Sequence, residues 1–286
     1  MPPIVTRNAL TEGVEVETAC WPGGSRRPFL LVHGLSSNWR TWAAVARRLD
    51  QLGHPVAAVD LRGHGQSSKP GVGYDFETFT SDLLGLIGAL GWDRPVVAGQ
   101  STGGNLAVEL AFRASGAVSG AVGVDGGVLE LQERWPRWED CREALAPPKL
   151  AGTPADRVRN HLRRSHPDWS EEGVAATLAN LEVLPDGTVR PWLTFDHHIE
   201  LLRALWDHRP SQLLADLAVP LLLILADSGD AGTEAKRRAG ARAEATAGGG
   251  ARVEWFSPGD HDLHVQHPGE VARLLSEAAT GGFFPS

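Results

Sequence analysis

Val96-Val97-Ala98-Gly99-Gln100-Ser101-Thr102-Gly103-Gly104 decides how this 286-residue chain is read. Its apolar start predicts a short buried strand, and Gly104 to Arg113 carries a helical period, so strand passes into helix with no loop between them. Gly99 and Gly103 stand two residues to either side of Ser101. A serine at the apex of so tight a turn is strained and exposed, and flanking glycines let neighbouring backbones come close to it. Ser101 is therefore the candidate nucleophile.

Outward from this turn the alternation repeats. Strands are predicted at Val14 to Cys20, Phe29 to Val32, Val56 to Val59, Val96 to Ala98, Ala121 to Val124, Leu221 to Leu225 and Val253 to Phe256. Helices are predicted over Trp42 to Leu52, Phe76 to Leu90, Gly104 to Arg113, Gly232 to Ala245 and Gly269 to Ala278. Short apolar runs separated by helices are the pattern of an α/β fold, a mainly parallel twisted sheet with helices on both faces. The alternation fails after Asp125. From there to about Gln212 there are helical periods but no buried-strand run, and Pro185-Asp186-Gly187 predicts a hairpin turn. The expected organisation is a core over 1–126, a mostly helical cap over 127–212, and the remainder of the core over 213–286.

A second motif, Leu30-Leu31-Val32-His33-Gly34-Leu35, ends a strand. Further along stand Asp60-Leu61-Arg62-Gly63-His64-Gly65-Gln66-Ser67 and Gly259-Asp260-His261-Asp262-Leu263-His264-Val265-Gln266-His267-Pro268. With the turn at Ser101, these segments give a chain that resembles the α/β-hydrolase family over nearly its whole length. The resemblance implies a cap inserted after the sixth strand of that fold, as in the family's epoxide-hydrolase-like, esterase and lactonase members. It also implies that the backbone N–H groups of Leu35 and Thr102 converge on a developing oxyanion, with His33 holding its loop by hydrogen bonds. His261, seven residues before Pro268, takes the place of the base, while His264 is expected to line the pocket and His267 to start a helix. The acid stays open. Asp125, at the end of the sixth strand, is preferred, and Asp230 and Asp227, in the loop after the seventh, are the alternatives. Ser101 would attack, His261 would take and return the proton, and the carboxylate would fix the imidazole tautomer and stabilise its cation. A serine at this turn excludes the family's epoxide hydrolases and haloalkane dehalogenases, which need a carboxylate there. Gln100 departs from the histidine that many relatives carry.

Five of the ten tryptophans, Trp135, Trp138, Trp169, Trp192 and Trp206, fall in the inserted stretch. Aromatic walls suit an uncharged apolar small molecule, which makes Trp135, Trp138 and Trp192, with His264, the candidate pocket residues. The expected reaction is cleavage of a hydrophobic carboxylic ester or lactone through an acyl-enzyme, without a cofactor. The alternatives are a carbon–carbon bond hydrolase or acyltransferase on the same residues, or a ligand-binding receptor that keeps the fold. No metal is expected, because His197 and His198 are adjacent and point apart, and ligand spacings are missing. An apolar fraction of 42% with 22% charged residues excludes a disordered chain. The net charge of −8 and the lack of a basic run argue against nucleic acid or an acidic membrane as partner. The longest apolar run, Leu221 to Ala226, falls far short of the ~20 residues that span a bilayer. The first residues lack the apolar stretch of a signal peptide, and Cys20 and Cys141 give no disulfide framework, so a reducing cytoplasm is the expected location. The composition is compatible with a homo-oligomer.

Overall fold

The computed structural model describes residues 1–10, 13–229 and 231–285. In chain order the core runs β1 (Ile4–Ala9), β2 (Glu15–Trp21), β3 (Phe29–Val32), α1 (Ala43–Gln51), β4 (Val56–Val59), α2 (Phe76–Ala89), β5 (Val96–Gln100), α3 (Thr102–Arg113) and β6 (Gly120–Val124). An insert follows, with α4 (Leu131–Arg134), α5 (Trp138–Leu145), α6 (Ala155–Ser165), α7 (Glu171–Leu178), β7 (Leu181–Val183), β8 (Val189–Pro191) and α8 (Phe195–Asp207). The core resumes with β9 (Leu221–Ala226), α9 (Ala231–Thr246), β10 (Ala251–Phe256), α10 (Leu263–Gln266) and α11 (Pro268–Thr280).

Eight strands form one sheet in the order β1-β2-β4-β3-β5-β6-β9-β10. β2 is antiparallel to both neighbours, and every pairing beyond β4 is parallel. A parallel strand covered on both faces must be apolar throughout, and β3, β4, β5, β6 and β9 are buried at every residue. Alternate side chains leave a strand on opposite faces. Leu30, Val32, Val97 and Leu223 accordingly pack with Leu83 of α2 and Leu106 of α3, whereas Phe29, Leu31, Ala98 and Leu222 pack with Leu49 of α1 and Leu275 of α11. Strand β1 adds to the expected set. Most of it is exposed, so Ile4 to Ala9 shows no buried period, and its pairing with β2 is what makes it a strand.

The insert contains the predicted hairpin, β7 against β8, and a small apolar cluster of its own built from Ala155, Val158, Leu178 and Val189. Helix α8, capped by Thr194 through the N–H of His197, instead sends Leu201 and Leu205 into the cluster on the sheet. Arg47 of α1 and Glu172 of α7 form a two-bond ion pair at 2.6 Å. Contacts with the loops after β3 and β10 bring the insert to the C-terminal edge of the sheet, where ligands of open α/β sheets bind. No described helix is long and apolar enough to cross a membrane.

Candidate active site

Four loops meet at the C-terminal edge, those following β3, β5, β6 and β10. Ser101 joins β5 to α3 with φ 52° and ψ −121°, a backbone state that side-chain-bearing residues rarely adopt. The glycines explain how it is tolerated. A Cβ on Gly99 would sit 2.0 Å from the Gly103 carbonyl carbon, and one on Gly103 would sit 2.4 Å from the Val32 carbonyl oxygen. The Ser101 N–H donates to the Val124 carbonyl at 3.0 Å, tying the turn to β6.

The loop after β3 lies directly against this turn, since a Cβ on Gly34 would come within 3.1 Å of Ser101 Cβ. Among the described residues neither the Leu35 N–H nor the Thr102 N–H is spent on a protein acceptor. His33 holds the loop. Its Nδ1–H donates to the Gly34 carbonyl at 2.8 Å and its Nε2 accepts the Leu61 N–H at 3.0 Å, and burial depresses its pKa to about 4. One step further, Ser36 has a positive φ of 58°. Its N–H donates to His64 Nε2 at 3.2 Å and its hydroxyl to Nδ1 of the buried His198 at 2.7 Å, whose Nε2–H reaches the Leu145 carbonyl. The sequence pattern singles out His64 within its motif, but not the bonds that join Ser36 to His64 and His198.

Asp125 follows β6 with φ 43° and has a side chain without exposed surface. Its carboxylate accepts the Ala226 N–H at 3.0 Å and His261 Nδ1–H at 2.6 Å, and Lys236 Nζ lies 2.8 Å from each of its oxygens. Burial pushes the Asp125 pKa up most strongly, but the bond and charge of His261 and the Lys236 ammonium together hold it below the ordinary carboxylate value. For His261 the surrounding protein pushes the pKa down, and the bond and charge of Asp125, helped by Asp262, overcome this and raise it. Half of the His261 side chain faces solvent. Gln100 donates to the His261 carbonyl at 3.2 Å, so the residue that departs from the family pattern helps seat this loop.

Asp227 is engaged elsewhere. Its carboxylate accepts the Gly229 N–H at 3.0 Å and pairs with Arg237 at 2.7 Å. Asp230 lies outside the described residues. His264, expected at the pocket wall, has no exposed surface, its ring packs on Trp42 at 4.6 Å, and neither ring nitrogen has a partner among the described residues. His267 immediately precedes α11 and stacks on Phe256 at 5.4 Å.

The expected aromatic wall is largely occupied with packing. Trp138 meets Trp206 edge to face at 5.9 Å beneath Arg203, Trp206 Nε1–H donates to the Trp135 carbonyl, and Trp192 lies beneath Lys69. No ring contact joins these indoles to His261 among the described residues. Trp169 is buried with Val174 and Val265, under a His166 ring whose Nδ1–H donates to the Asp260 carboxylate at 2.5 Å. Among the described residues no three His, Cys, Asp or Glu side chains stand close enough to share a metal ion.

A family model described as the alpha/beta hydrolase family matches residues 29–274. The chain is 35% identical over 94 residues to the AB hydrolase superfamily protein YisY of Bacillus subtilis, covering 33% of this chain and 35% of that one. It is 38% identical over 89 residues to a soluble epoxide hydrolase of Corynebacterium sp., covering 31% of each. The alignment thus spans about a third of these curated relatives. Among solved structures, E-2-(acetamidomethylene)succinate hydrolase superposes with a TM-score of 0.78 at 21% identity, covering 98% of this chain and 99% of that one, a likeness of fold.

Proposed function

We propose that this chain, which belongs to the alpha/beta hydrolase family, is a serine hydrolase that cleaves a carboxylic ester or lactone of an apolar small molecule through an acyl-enzyme. One observation carries the reading: a hydroxyl at the strained turn, beside two unspent N–H groups, with an imidazole oriented by a buried carboxylate in the adjoining loop. The Asp125 bond to Nδ1–H leaves Nε2 as the free basic nitrogen of His261. Ser101 Oγ attacks the acyl carbon as its proton passes to Nε2, and the carbonyl oxygen takes the negative charge between the N–H groups of Leu35 and Thr102. Collapse returns the proton from His261 to the departing alkoxide. Water then repeats the sequence on the acyl-serine and releases the acid.

A hydroxyl at position 101 supports acyl transfer over epoxide opening, for which an alkylatable carboxylate would stand at the same turn. The preference for an apolar substrate rests on the tryptophans of the insert, which we take to be a cap over the site. The test is intact mass after treatment with a fluorophosphonate, peptide mapping of the adduct, and turnover of a panel of esters and lactones. The expected result is one adduct on Ser101 with turnover of at least one apolar ester or lactone. No adduct on Ser101 sinks the reading, and an adduct without turnover of any panel member moves it to carbon–carbon cleavage or acyl transfer.

A further inference from the structure

Lys236 is the group at this site that the proposed reaction leaves unused. It stands on α9, and its ammonium lies 2.8 Å from each Asp125 oxygen and 3.0 Å from the Ala226 carbonyl oxygen. The Asp125 side chain has no exposed surface and that of Lys236 is 19% exposed, so little water screens the pair. The carboxylate is therefore shared by three donors, the Ala226 N–H, the Lys236 ammonium and His261 Nδ1–H.

We propose that Lys236 is a positioning residue for the serine hydrolase reaction, its ammonium keeping the buried Asp125 carboxylate charged and tempering that carboxylate's hold on the His261 imidazolium. The proposal rests on the reading of Ser101, His261 and Asp125 given above. A buried carboxylate facing only a neutral imidazole is costly to keep ionised, and a cation in contact offsets that cost. The same cation opposes a second positive charge nearby. Before attack, Lys236, Asp125 and His261 sum to zero charge, and protonation of His261 takes them to plus one. Without the ammonium the same step would run from minus one to zero and would be easier. Lys236 therefore extends the free-base form of His261 to lower pH.

The other charged groups facing the pair pull in known directions. Asp262 raises the proton affinity of His261, and Asp260 is engaged by His166. Arg237, also on α9, is neutralised by Asp227. Lys236 is thus the cation in contact with the acid among the described residues.

The test uses the full chain and a fluorophosphonate, whose phosphorus Ser101 Oγ attacks with loss of fluoride, so no natural substrate is needed. The labelling rate is followed against pH by intact mass. In the wild-type chain it should rise with pH along a limb set by His261. Lys236→Gln keeps a donor for Asp125 without the charge and should move that limb up by ~1 pH unit, while Lys236→Arg should leave it in place. An unmoved limb in Lys236→Gln, or an equal movement in Lys236→Arg, overturns the proposal. Should Lys236→Gln not fold, the charge-balanced Asp125→Asn/Lys236→Gln carries the comparison. Its His261 ring protons should titrate ~1 pH unit higher than those of Asp125→Asn, and equal values overturn the proposal. Wild-type chain that never labels at Ser101 removes the hydrolase reading itself, whereas normal labelling with an unmoved limb removes only the role of Lys236.

Discussion

Ser101 holds a backbone conformation that costs a non-glycine residue about 1–3 kcal/mol. Bonds from its N–H to Val124 and from the Gly104 N–H to its carbonyl keep it there. Two substitutions separate strain from chemistry. Ser101→Ala keeps the strain and removes the hydroxyl, so turnover should fall by about 10³-fold or more at nearly unchanged Tm. Ser101→Gly should be equally inactive yet more stable. Relief of the strain outweighs the 0.5–1 kcal/mol of extra chain entropy, for a net gain of about 1 kcal/mol. Its Tm should therefore exceed that of Ser101→Ala, and equal values would show that the strain is no larger than the entropy cost of glycine. At the acid, Asp125→Asn should lower kcat by about 10³–10⁴-fold, because an amide can hold the wrong imidazole tautomer and offers no charge to the imidazolium. A folded Asp125→Asn chain with wild-type kcat would return the acid to the loop after β9.

The loop after β3 is strung between two elements, the sheet through His64 and the insert through His198 on α8. Both histidines are buried with depressed pKa values, so they hold Ser36 as neutral rings. Because Leu35 is the adjoining residue, loosening Ser36 should misplace its N–H. Losing an oxyanion donor outright costs about 10²–10³-fold, and a displaced one should cost less. Ser36→Ala and His198→Ala should each lower kcat by about tenfold with little change in KM, and the double variant should be no worse than the poorer single one. Fully additive losses would show that the two residues act separately. This bridge also marks the limit of what the sequence exposes. Strands β3 to β6 and β9 are legible because burial on both faces forces unbroken apolar runs, and Ser101 is legible because its turn needs glycines at fixed spacing. β1 is not, since an exposed edge strand takes its form from β2. Whether Asp125, Asp227 or Asp230 faces His261 depends on how separate loops meet, which spacing along the chain does not encode. Lys236 is hidden among the charged residues of α9, where every Lys, Arg and Glu reads as a solvated face. The tryptophans of the insert show only that large apolar surface is present, and several of them spend it on one another.

Across the molecule, five of the eleven histidines, His33, His54, His64, His198 and His264, are buried, and they set its response to acid. Burial depresses His33 to about 4 and His264 to about 3, holds His64 well below its ordinary value, and lowers His54 and His198 as well. Above the ordinary histidine pKa of ~6.5 these rings are neutral in both the folded and the unfolded chain, and nothing is lost. As pH falls below that value the unfolded chain takes up protons that the folded chain refuses until pH reaches the depressed values, so stability drains away across that window. Two carboxyls, the buried Asp60 and the half-buried Asp262, act in the opposite sense. Asp60 is raised to about 6, chiefly by burial, and Asp262 is raised for the same reason, so the folded chain gains a proton at each before the unfolded chain does. The raised His261 does not reverse the balance, because its contribution is already complete below the unfolded value and is lost only as pH rises through the folded one. Five depressed histidines against two raised acids leave a net uptake of protons on unfolding as pH falls below the ordinary histidine value, so stability falls with pH there. Urea unfolding at pH 7, 6 and 5 should show a fall in stability that starts below pH 6.5. A stability that stays level or rises between pH 7 and pH 5 would mean that these rings already carry protons in the folded chain, and the neutral scaffold behind the β3 loop would have to be redrawn.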